Sequence, residues 1–593
     1  MDESIFKSLN KEQVQAVKHV DGPSIILAGA GSGKTRVLTS KVINLIKNHN
    51  VNPENILMVT FTNKAAAEMK DRVKQKLGFA GTFHSFGVRV LRSNAVSAGL
   101  DPNFVIYDNN DQDEVIKTVL KKLDLGKKFT PSFLLNKISS AKDQLIGPER
   151  YKELFRDYTS DAIAQVYAKY AAFLEQNNAV DFDDLLFKTV NLFIDNERIR
   201  EKYNEQFRYI LVDEFQDTNF AQYYLTKLLG KKYQNVTIVG DFCQSIYSWR
   251  GAEIKNLEKF ESDFENVKVF NLIQNYRSTQ SILNFAYDVI SKNQTHPILQ
   301  LFTDNSQGEE VEIKEVENEQ YEALFVAQEI KRLVNQYDYS DVAVLYRINA
   351  QSRTIEEALL NYSIPYTLVG GTRFYERKEI KDILSYVRLI VNPLDEISLK
   401  RVIKLGKQRY EKFKNAYKEI KDRRDELTTS EIIDEILQKT KYIDLYDEQD
   451  PDDLARLENI KELRSVAINF PTVNEFLEQV ALVESEYSEN EKMKKGQKGV
   501  TLMTLHQAKG LEFPFVFLVG VEDGILPHAR SVDDLYQLEE ERRLFYVGIT
   551  RAREKLYLTH TRKRFMFGRR IYAQVSRFIS TNEPEEYDYT KTW

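Results

Sequence analysis

The sequence predicts an α/β protein made of two cores, each interrupted by a mainly helical insertion. Three observations carry this reading. Short apolar runs alternate with stretches of helical periodicity, the pattern of a parallel sheet flanked by helices. Several of those runs end in polar or glycine-rich segments, and in open α/β sheets ligand chemistry collects at such strand ends. The alternation is broken twice by polar, helix-forming stretches that carry no strand-end motif. The first core is therefore expected at 1–104 and 181–278, with an insertion at 105–180. The second is expected at 279–377 and 496–593, with an insertion at 378–495.

In the first core, "SIILAG" reads as a buried strand, followed by a glycine-rich turn and the helical "KTRVLTSKVINLIKNH". "ILMVTFTN" is the next strand, before the helical "KAAAEMKDRVKQKL". "YILVDEFQD" and "VTIVGD" are two more strands with polar residues at their C-terminal ends. The first insertion reads as helices through "DQDEVIKTVLKKLDL", "SFLLNKISSAKDQL" and "AIAQVYAKYAAFLEQN". "DVAVLYR" opens the strands of the second core, which pauses at "GGTRFYERKEIKD" and resumes at "VTLMTLHQAKG" and "FVFLVG". The second insertion is charge-rich and closes in "EKMKKGQKG", which reads as a flexible joint.

At 593 residues, with 42% hydrophobic and 29% charged content, the chain exceeds one core and has ordinary globular composition. Its length suggests about three to five domains. No apolar run spans a bilayer, and the N-terminal "MDESIFKSLNKEQ" lacks a signal-peptide core. The single cysteine, Cys243, excludes an internal disulfide framework and a Cys-rich metal site. A cytoplasmic protein with no membrane partner is expected. The net charge of −6 neither announces nor excludes a nucleic-acid partner, because a local groove matters more than the sum.

"AGAGSGKT", Ala28 to Thr35, has the form of a phosphate-binding loop, with Ala28 in the slot the strict pattern gives to glycine. Backbone N–H groups of Gly29, Ala30, Gly31, Ser32 and Gly33 can approach a triphosphate on a turn that opens a helix N-terminus. Lys34 would reach the β- and γ-phosphates, and Thr35 would ligate Mg²⁺. In "ILVDEFQD", a carboxylate ending an apolar strand is expensive unless compensated. Asp213 is the natural Mg²⁺ partner, and Glu214 would orient and deprotonate the attacking water. Alone, this acidic pair reads equally well as a helix-capping cluster; with the loop it reads as catalytic. Arg277 in "QNYRSTQ" and Arg551 in "VGITRARE" are arginines that could stabilise transferring phosphoryl charge, although most arginines are solvated surface residues.

"LNKEQVQAV", "AGAGSGKT", "TFTNKAA", "TFHSF", "VDEFQD", "GDFCQSIYSWRGA", "NYRS", "VTLMTLHQAKGLEF" and "RRLFYVGITRARE" occur in this order from Leu9 onward to about Phe578. Together they resemble the superfamily 1 DNA helicases of the UvrD/PcrA/Rep type, in which the first position of the loop is commonly Ala. The resemblance implies two RecA-like P-loop NTPase cores, with ATP and Mg²⁺ as cofactors. It implies that Gln13 reads the adenine edge, that Arg36 and Tyr276 sandwich the ring, and that Gln244 senses the γ-phosphate. It makes Arg277 and Arg551 the arginine fingers and places Glu512 near nucleotide and metal.

The same resemblance implies a DNA track. Phe61, Tyr247 and Trp249 match the family's base-stacking residues, Arg250 its backbone contact, and Thr62, Asn63, His84 and His506 positions lining the groove. A hydroxyl or amide at these last positions can equally cap a helix or bridge motifs. Gln244 and Trp249 share one short connection, so a group at the γ-phosphate and a stacking ring belong to one stiff element. Stacking tolerates any base, so sequence-indifferent binding of single strands and of single/double-strand junctions is expected. ATP is expected to draw the cores together and hydrolysis to release them, moving the chain 3′→5′ by about one nucleotide per ATP.

Two departures from the family stand out. After "SLKRVIK", the family continues in a "PKRGIG"-like turn that contacts duplex DNA; here Gly406 and Lys407 remain in "LGKQRYEKFKNAYKEIK" without the Gly-x-Gly turn. The basic stretch Lys407 to Lys421 then reads as a solvated helix face ahead of a phosphate-binding one. The sequence stops soon after "SRFIS", so neither a further tail for docking partners nor a nuclease domain is expected. The expected function is an ATP-dependent 3′→5′ DNA translocase and helicase in DNA repair or replication restart, as monomer or dimer, with repair or replication proteins as partners. The alternatives are a translocase that strips proteins and unwinds weakly, and a non-catalytic DNA-binding scaffold derived from a helicase.

Overall fold

The computed structural model describes residues 2–125, 128–155, 159–424, 426–448, 450–493, 498–566 and 569–580. The joint expected at "EKMKKGQKG" falls partly on residues 494–497, and Trp593 on the C-terminal stretch; both lie outside the described residues. The chain divides into two compact units, Met1–Ser278 with Ile290–Ser306, and Thr279–Val289 with Gln307–Trp593. Residues 290–306, assigned by the sequence pattern to the second core, thus pack with the first.

The first unit is built on six parallel strands: β1 Ser24–Ala28, β2 Ile56–Thr60, β3 Phe79–Thr82, β4 Tyr209–Val212, β5 Val236–Gly240 and β6 Lys268–Leu272. Their order is β3-β2-β4-β5-β1-β6. β2 and β5 are buried along their whole length, as the continuous apolar runs "ILMVT" and "VTIVG" require of strands covered on both faces. The register sets Leu27 beside Gly240 and Val59 beside Val212, so the ends of β1, β5, β4 and β2 open at one edge of the sheet.

Residues 105–180 hold helices Asn109–Lys122, Pro131–Asp143, Pro148–Leu154 and Ser160–Gln176. They have an apolar core of their own, including Ile116, Leu134, Val166 and Tyr170. Where this stretch leaves and rejoins the sheet unit, Val105–Ile106 pairs with Ala179–Val180. A buried charge cluster sits beside that pairing: the Lys142 ammonium lies 2.6 Å from Asp181 Oδ2 and 2.9 Å from Asp184 Oδ1. The Tyr170 hydroxyl donates to the same Asp181 oxygen at 2.8 Å. Burial alone would lower the Lys142 pKa, but the two carboxylates raise it overall, so the ammonium stays charged.

The second unit carries β7 Glu312–Val316, β8 Val342–Tyr346, β9 Tyr366–Leu368, β10 Val500–Thr504, β11 Phe513–Leu518 and β12 Ala552–Thr561. These pair in parallel in the order β7-β12-β11-β8-β10-β9. Between β9 and β10 run helices Lys378–Val391, Glu396–Lys404, Lys407–Arg423, Thr429–Thr440, Pro451–Ala467 and Val473–Met493. In contrast to the first insertion, their apolar residues (Ile383, Tyr386, Ile432, Leu463, Phe476) join one core with Val344, Leu502 and Phe517 of the sheet. Helix Lys407–Arg423 buries Phe413, Ala416 and Ile420 and leaves Lys412, Lys414, Lys418 and Lys421 exposed, a solvated charged face. Gly406 begins it at φ +120°, a backbone that L side chains rarely adopt.

Lys142→Met should destabilise the first unit by about 3–5 kcal/mol, because two carboxylates are left buried without their cation. A lowered thermal unfolding midpoint would show it; an unchanged midpoint would place the anchoring of the insertion elsewhere.

Candidate functional site

The loop after β1 is shaped by glycines that nothing larger can replace. Gly31 and Gly33 take φ of +65° and +84°, and a Cβ on Gly31 would meet Asn275 Nδ2 at 2.7 Å and Arg277 Cβ at 2.9 Å. Helix Lys34–His49 starts at once, its N-cap being Gly33, so its first N–H groups are left to a ligand rather than to a capping side chain. The "QNYRS" segment is stitched to the loop: Asn275 Nδ2 donates to the Ala30 carbonyl at 2.7 Å, and the Tyr276 N–H to the Gly31 carbonyl at 3.0 Å. Asn275 Oδ1 in turn accepts from the N–H groups of Arg277 and Ser278, both at 2.8 Å. Tyr276 and Arg277 therefore lie against the loop within the first unit, although some 240 residues separate them from it in sequence.

Gln13 is fully buried under the same loop. Its amide oxygen accepts from the Asn10 N–H at 3.1 Å, closing a helix cap, and its nitrogen donates to the Ser32 carbonyl at 2.9 Å. An amide has two N–H donors and two lone pairs, so these two bonds do not exhaust its hydrogen-bonding capacity. The Arg36 guanidinium lies 5.9 Å from the centre of the Tyr276 ring, which is 43% exposed. A ring stacked between them would need about 7 Å, two contact distances, about 1 Å more than their present separation.

Asp213 ends β4 with its N–H bonded to the Val59 carbonyl at 2.9 Å. Burial pushes its carboxyl up to about 7; Glu214 adds to the shift and Lys34 opposes it. Asp241, ending β5, is likewise raised by burial against the opposing charge of Lys34. The charge of Lys34 thus acts on two buried carboxylates at the ends of neighbouring strands. Glu214 stands in the left-handed region at φ +51°, an uncommon backbone for a glutamate, with its N–H donated to Asp213 Oδ1 at 3.0 Å. Gln244 Nε2 donates to Asp241 Oδ2 at 2.6 Å. Thr35 follows Lys34 on the same first turn.

A second group forms beside this one. Phe61, just past β2, stacks on Tyr247 with centroids 5.9 Å apart and planes 11° apart. Tyr247 meets Trp249 edge-on at 6.3 Å, and the Arg250 guanidinium lies 4.4 Å from the Trp249 ring centre. Trp249 remains 47% exposed, so one face of this cage is open. Thr62 caps helix Asn63–Val73, accepting from the Ala65 N–H at 3.2 Å, while Asn63 is exposed. His84, whose pKa burial lowers, packs edge-on against Phe182 at 6.0 Å.

Arg551, Glu512 and His506 belong to the second unit. Arg551 is 1% exposed and donates to the carbonyls of Val547 (2.8 Å) and Leu511 (3.1 Å) and to the Thr550 hydroxyl (3.0 Å). Glu512 is exposed and lies 3.9 Å from Arg553. His506 is half-buried in the turn after β10. Cys243 is buried in packing, its Sγ 3.9 Å from His296 Nδ1.

Sequence reasoning missed Asn275, Asp241, Gln216 and Phe182. Asp241 carried the signal that found Asp213, an acidic residue closing an apolar strand. Phe182 is 51% exposed beside His84, but in "DFDDLL" it reads as the start of a helix.

The family described as UvrD/REP helicase N-terminal domain matches residues 9–265, and that described as UvrD-like helicase C-terminal domain matches 270–410 and 404–563. The chain belongs to the UvrD-like helicase family. It is 43% identical to the ATP-dependent DNA helicase PcrA of Bacillus subtilis over 633 aligned residues, covering 97% of this chain and 86% of the relative. Proteins of that name from Staphylococcus epidermidis and Staphylococcus aureus are each 42% identical, with the same coverage. These alignments are longer than the chain's 593 residues, so the relatives carry residues that this member of the family lacks. The two C-terminal matches meet at 404–410, the place of the altered turn at Gly406. Among the described residues, no helix is long and apolar enough to cross a membrane.

Lys34→Ala should lower ATP hydrolysis by about 10²–10³-fold, as loss of a preorganised charge on the transferring phosphoryl does. A steady-state ATPase assay checks this, and an unchanged rate would remove the loop from the chemistry.

Proposed function

We propose that this chain is an ATP-dependent DNA helicase that translocates 3′→5′ on single-stranded DNA, acting in DNA repair or replication restart. One observation supports this above the others: Tyr247, Trp249 and Arg250, which with Phe61 form a half-exposed cage, share a single connection with Gln244, whose amide is held by Asp241 at the end of the strand paired to the loop strand. A base stacked in the cage and a phosphate at Gln244 would act on one short element.

In this reading the loop amides and Lys34 hold the triphosphate, Arg36 and Tyr276 the adenine, and Gln13 its edge. Glu214 orients the attacking water and accepts its proton. Arg277, beside the loop, and Arg551, from the second unit, stabilise the charge that develops on the γ-phosphoryl group. The donor set suits Mg²⁺: a buried carboxylate short of positive charge, Asp213, and a hydroxyl, Thr35, are hard oxygen ligands. Among the described residues no cluster of three or more His, Cys, Asp or Glu side chains could hold a metal, which accords with an ion completed by substrate phosphates and water. When bound, Mg²⁺ would neutralise charge on the β- and γ-phosphate oxygens. Glu512 stands as a further nucleotide-side residue, and His84, Thr62, Asn63 and His506 as contacts to the strand. Alternating grip by the two units would advance the chain by about one nucleotide per ATP.

A second reading, a translocase that strips proteins from single strands and unwinds weakly, is favoured by one observation. The helices of 378–493 share a core with the second sheet and lack the glycine turn, which leaves them less suited to engage duplex DNA.

Duplexes with 3′ or 5′ single-stranded tails test both readings. Unwinding of the 3′-tailed substrate alone is expected; displacement of a tail-bound protein without strand separation would favour the second reading, and 5′ preference would overturn the polarity. Trp249→Ala should reduce DNA-stimulated ATPase more than basal ATPase, by about tenfold if one stacked base worth 1–3 kcal/mol is lost. Equal losses would count against stacking.

A further inference from the structure

Gln216 is fully buried and belongs to none of the roles above. Its side-chain nitrogen donates to Glu214 Oε2 at 2.6 Å and to Asp217 Oδ2 at 3.2 Å. Its side-chain oxygen accepts the Asp241 N–H at 3.0 Å. Two carboxylates on one side and an N–H on the other leave the amide a single orientation. Its main-chain carbonyl accepts from the Ser245 hydroxyl at 3.0 Å. One residue therefore holds the strained Glu214 and, through both its side chain and its main chain, the turn that carries Gln244.

The two segments are stitched again further on. The Glu253 N–H donates to the Thr218 carbonyl at 3.0 Å, and Asn256 Nδ2 to the same carbonyl at 2.9 Å. The stretch 241–253, which includes Tyr247 and Trp249, is thus pinned at both ends to 216–218. Gly240 completes the fit, since a Cβ there would lie 2.7 Å from Gln216 Oε1.

We propose that Gln216 is a positioning residue that ties Glu214 to the aromatic DNA element, so that occupation of the cage by a base sets the position of the catalytic carboxylate. A base that displaces Tyr247 and Trp249 moves Ser245 and Asp241, and the Gln216 amide passes the shift to Glu214. This rests on the proposed function in assigning Glu214 and the cage, and adds the link between them.

The test uses the full chain as wild type, Gln216→Met and Ser245→Ala. It measures ATP hydrolysis with and without oligo-dT, and binding of a fluorescent non-hydrolysable ATP analogue and of labelled oligo-dT. Wild type without any stimulation by oligo-dT would remove the functional reading and the link together. With stimulation established, Gln216→Met is expected to keep both affinities, to lower kcat rather than KM, and to cut the ratio of stimulated to basal kcat by about tenfold or more, because small misplacements of a reacting group are costly. Ser245→Ala should lower the same ratio by a smaller factor. Adding Trp249→Ala to Gln216→Met should lower the ratio no further, as expected for two residues on one link. Basal and stimulated rates falling in proportion would overturn the link while leaving the functional reading intact, as would full additivity with Trp249→Ala. If Gln216→Met does not fold, an unchanged ratio in Ser245→Ala overturns it.

Discussion

Carboxylates buried at the ends of parallel strands must be compensated, and the first core is organised around that requirement. Asp213 and Asp241 end neighbouring strands, are almost fully buried, and are both held above the usual carboxylate range by that burial. Lys34 opposes the shift at both. The Glu214 N–H donates to the Asp213 carboxylate, and the Cys243 N–H and the Gln244 amide donate to that of Asp241. A triphosphate brings further negative charge to such a site, which explains why a helix N-terminus, a lysine and arginines are gathered there. The polar residues are dense because each buried one requires a partner.

The two insertions are attached by different physics. The first has its own apolar core and is anchored by a buried lysine between two aspartates at the point where it rejoins the sheet unit. The second has no such separation: its helices complete the core of the second sheet. A subdomain with a private core can move as a body, whereas one that shares a core must expose apolar surface to do so. Together with the altered turn at Gly406, this argues that the second insertion serves chiefly as part of its unit.

Much was legible in the sequence because it was local. Seven strands (β1, β2, β4, β5, β8, β10 and β11) followed from apolar runs, the helices from their periodicity, and the nucleotide loop from glycines whose positive φ no other residue adopts cheaply. Strands β3, β6, β7, β9 and β12 were not read, β6 and β7 being largely exposed edge strands without an apolar run. Asp213 and Glu214 were singled out as acidic residues closing an apolar strand, whereas Gln244 and Trp249 came from the resemblance, their short spacing adding only that they share one connection. The resemblance to a helicase family added roles that no local pattern carries, as for Arg277, Arg551 and Gln13.

Long-range juxtaposition was not legible. That Asn275 braces the loop, that Gln216 bridges two strand ends, that 290–306 packs with the first unit and that the second insertion shares a core all depend on which distant segments meet. A side-chain amide has no preferred partner in sequence; only the closure of the sheet brings Glu214 and the Asp241 N–H to its two ends. By itself, then, the sequence determined the apolar strands, the periodic helices and the candidate chemistry at their tips, because dihedral preference and apolar period are properties of short stretches. The tertiary structure alone decided how those tips are wired together, because hydrogen bonds between strand ends exist only once the strands lie side by side.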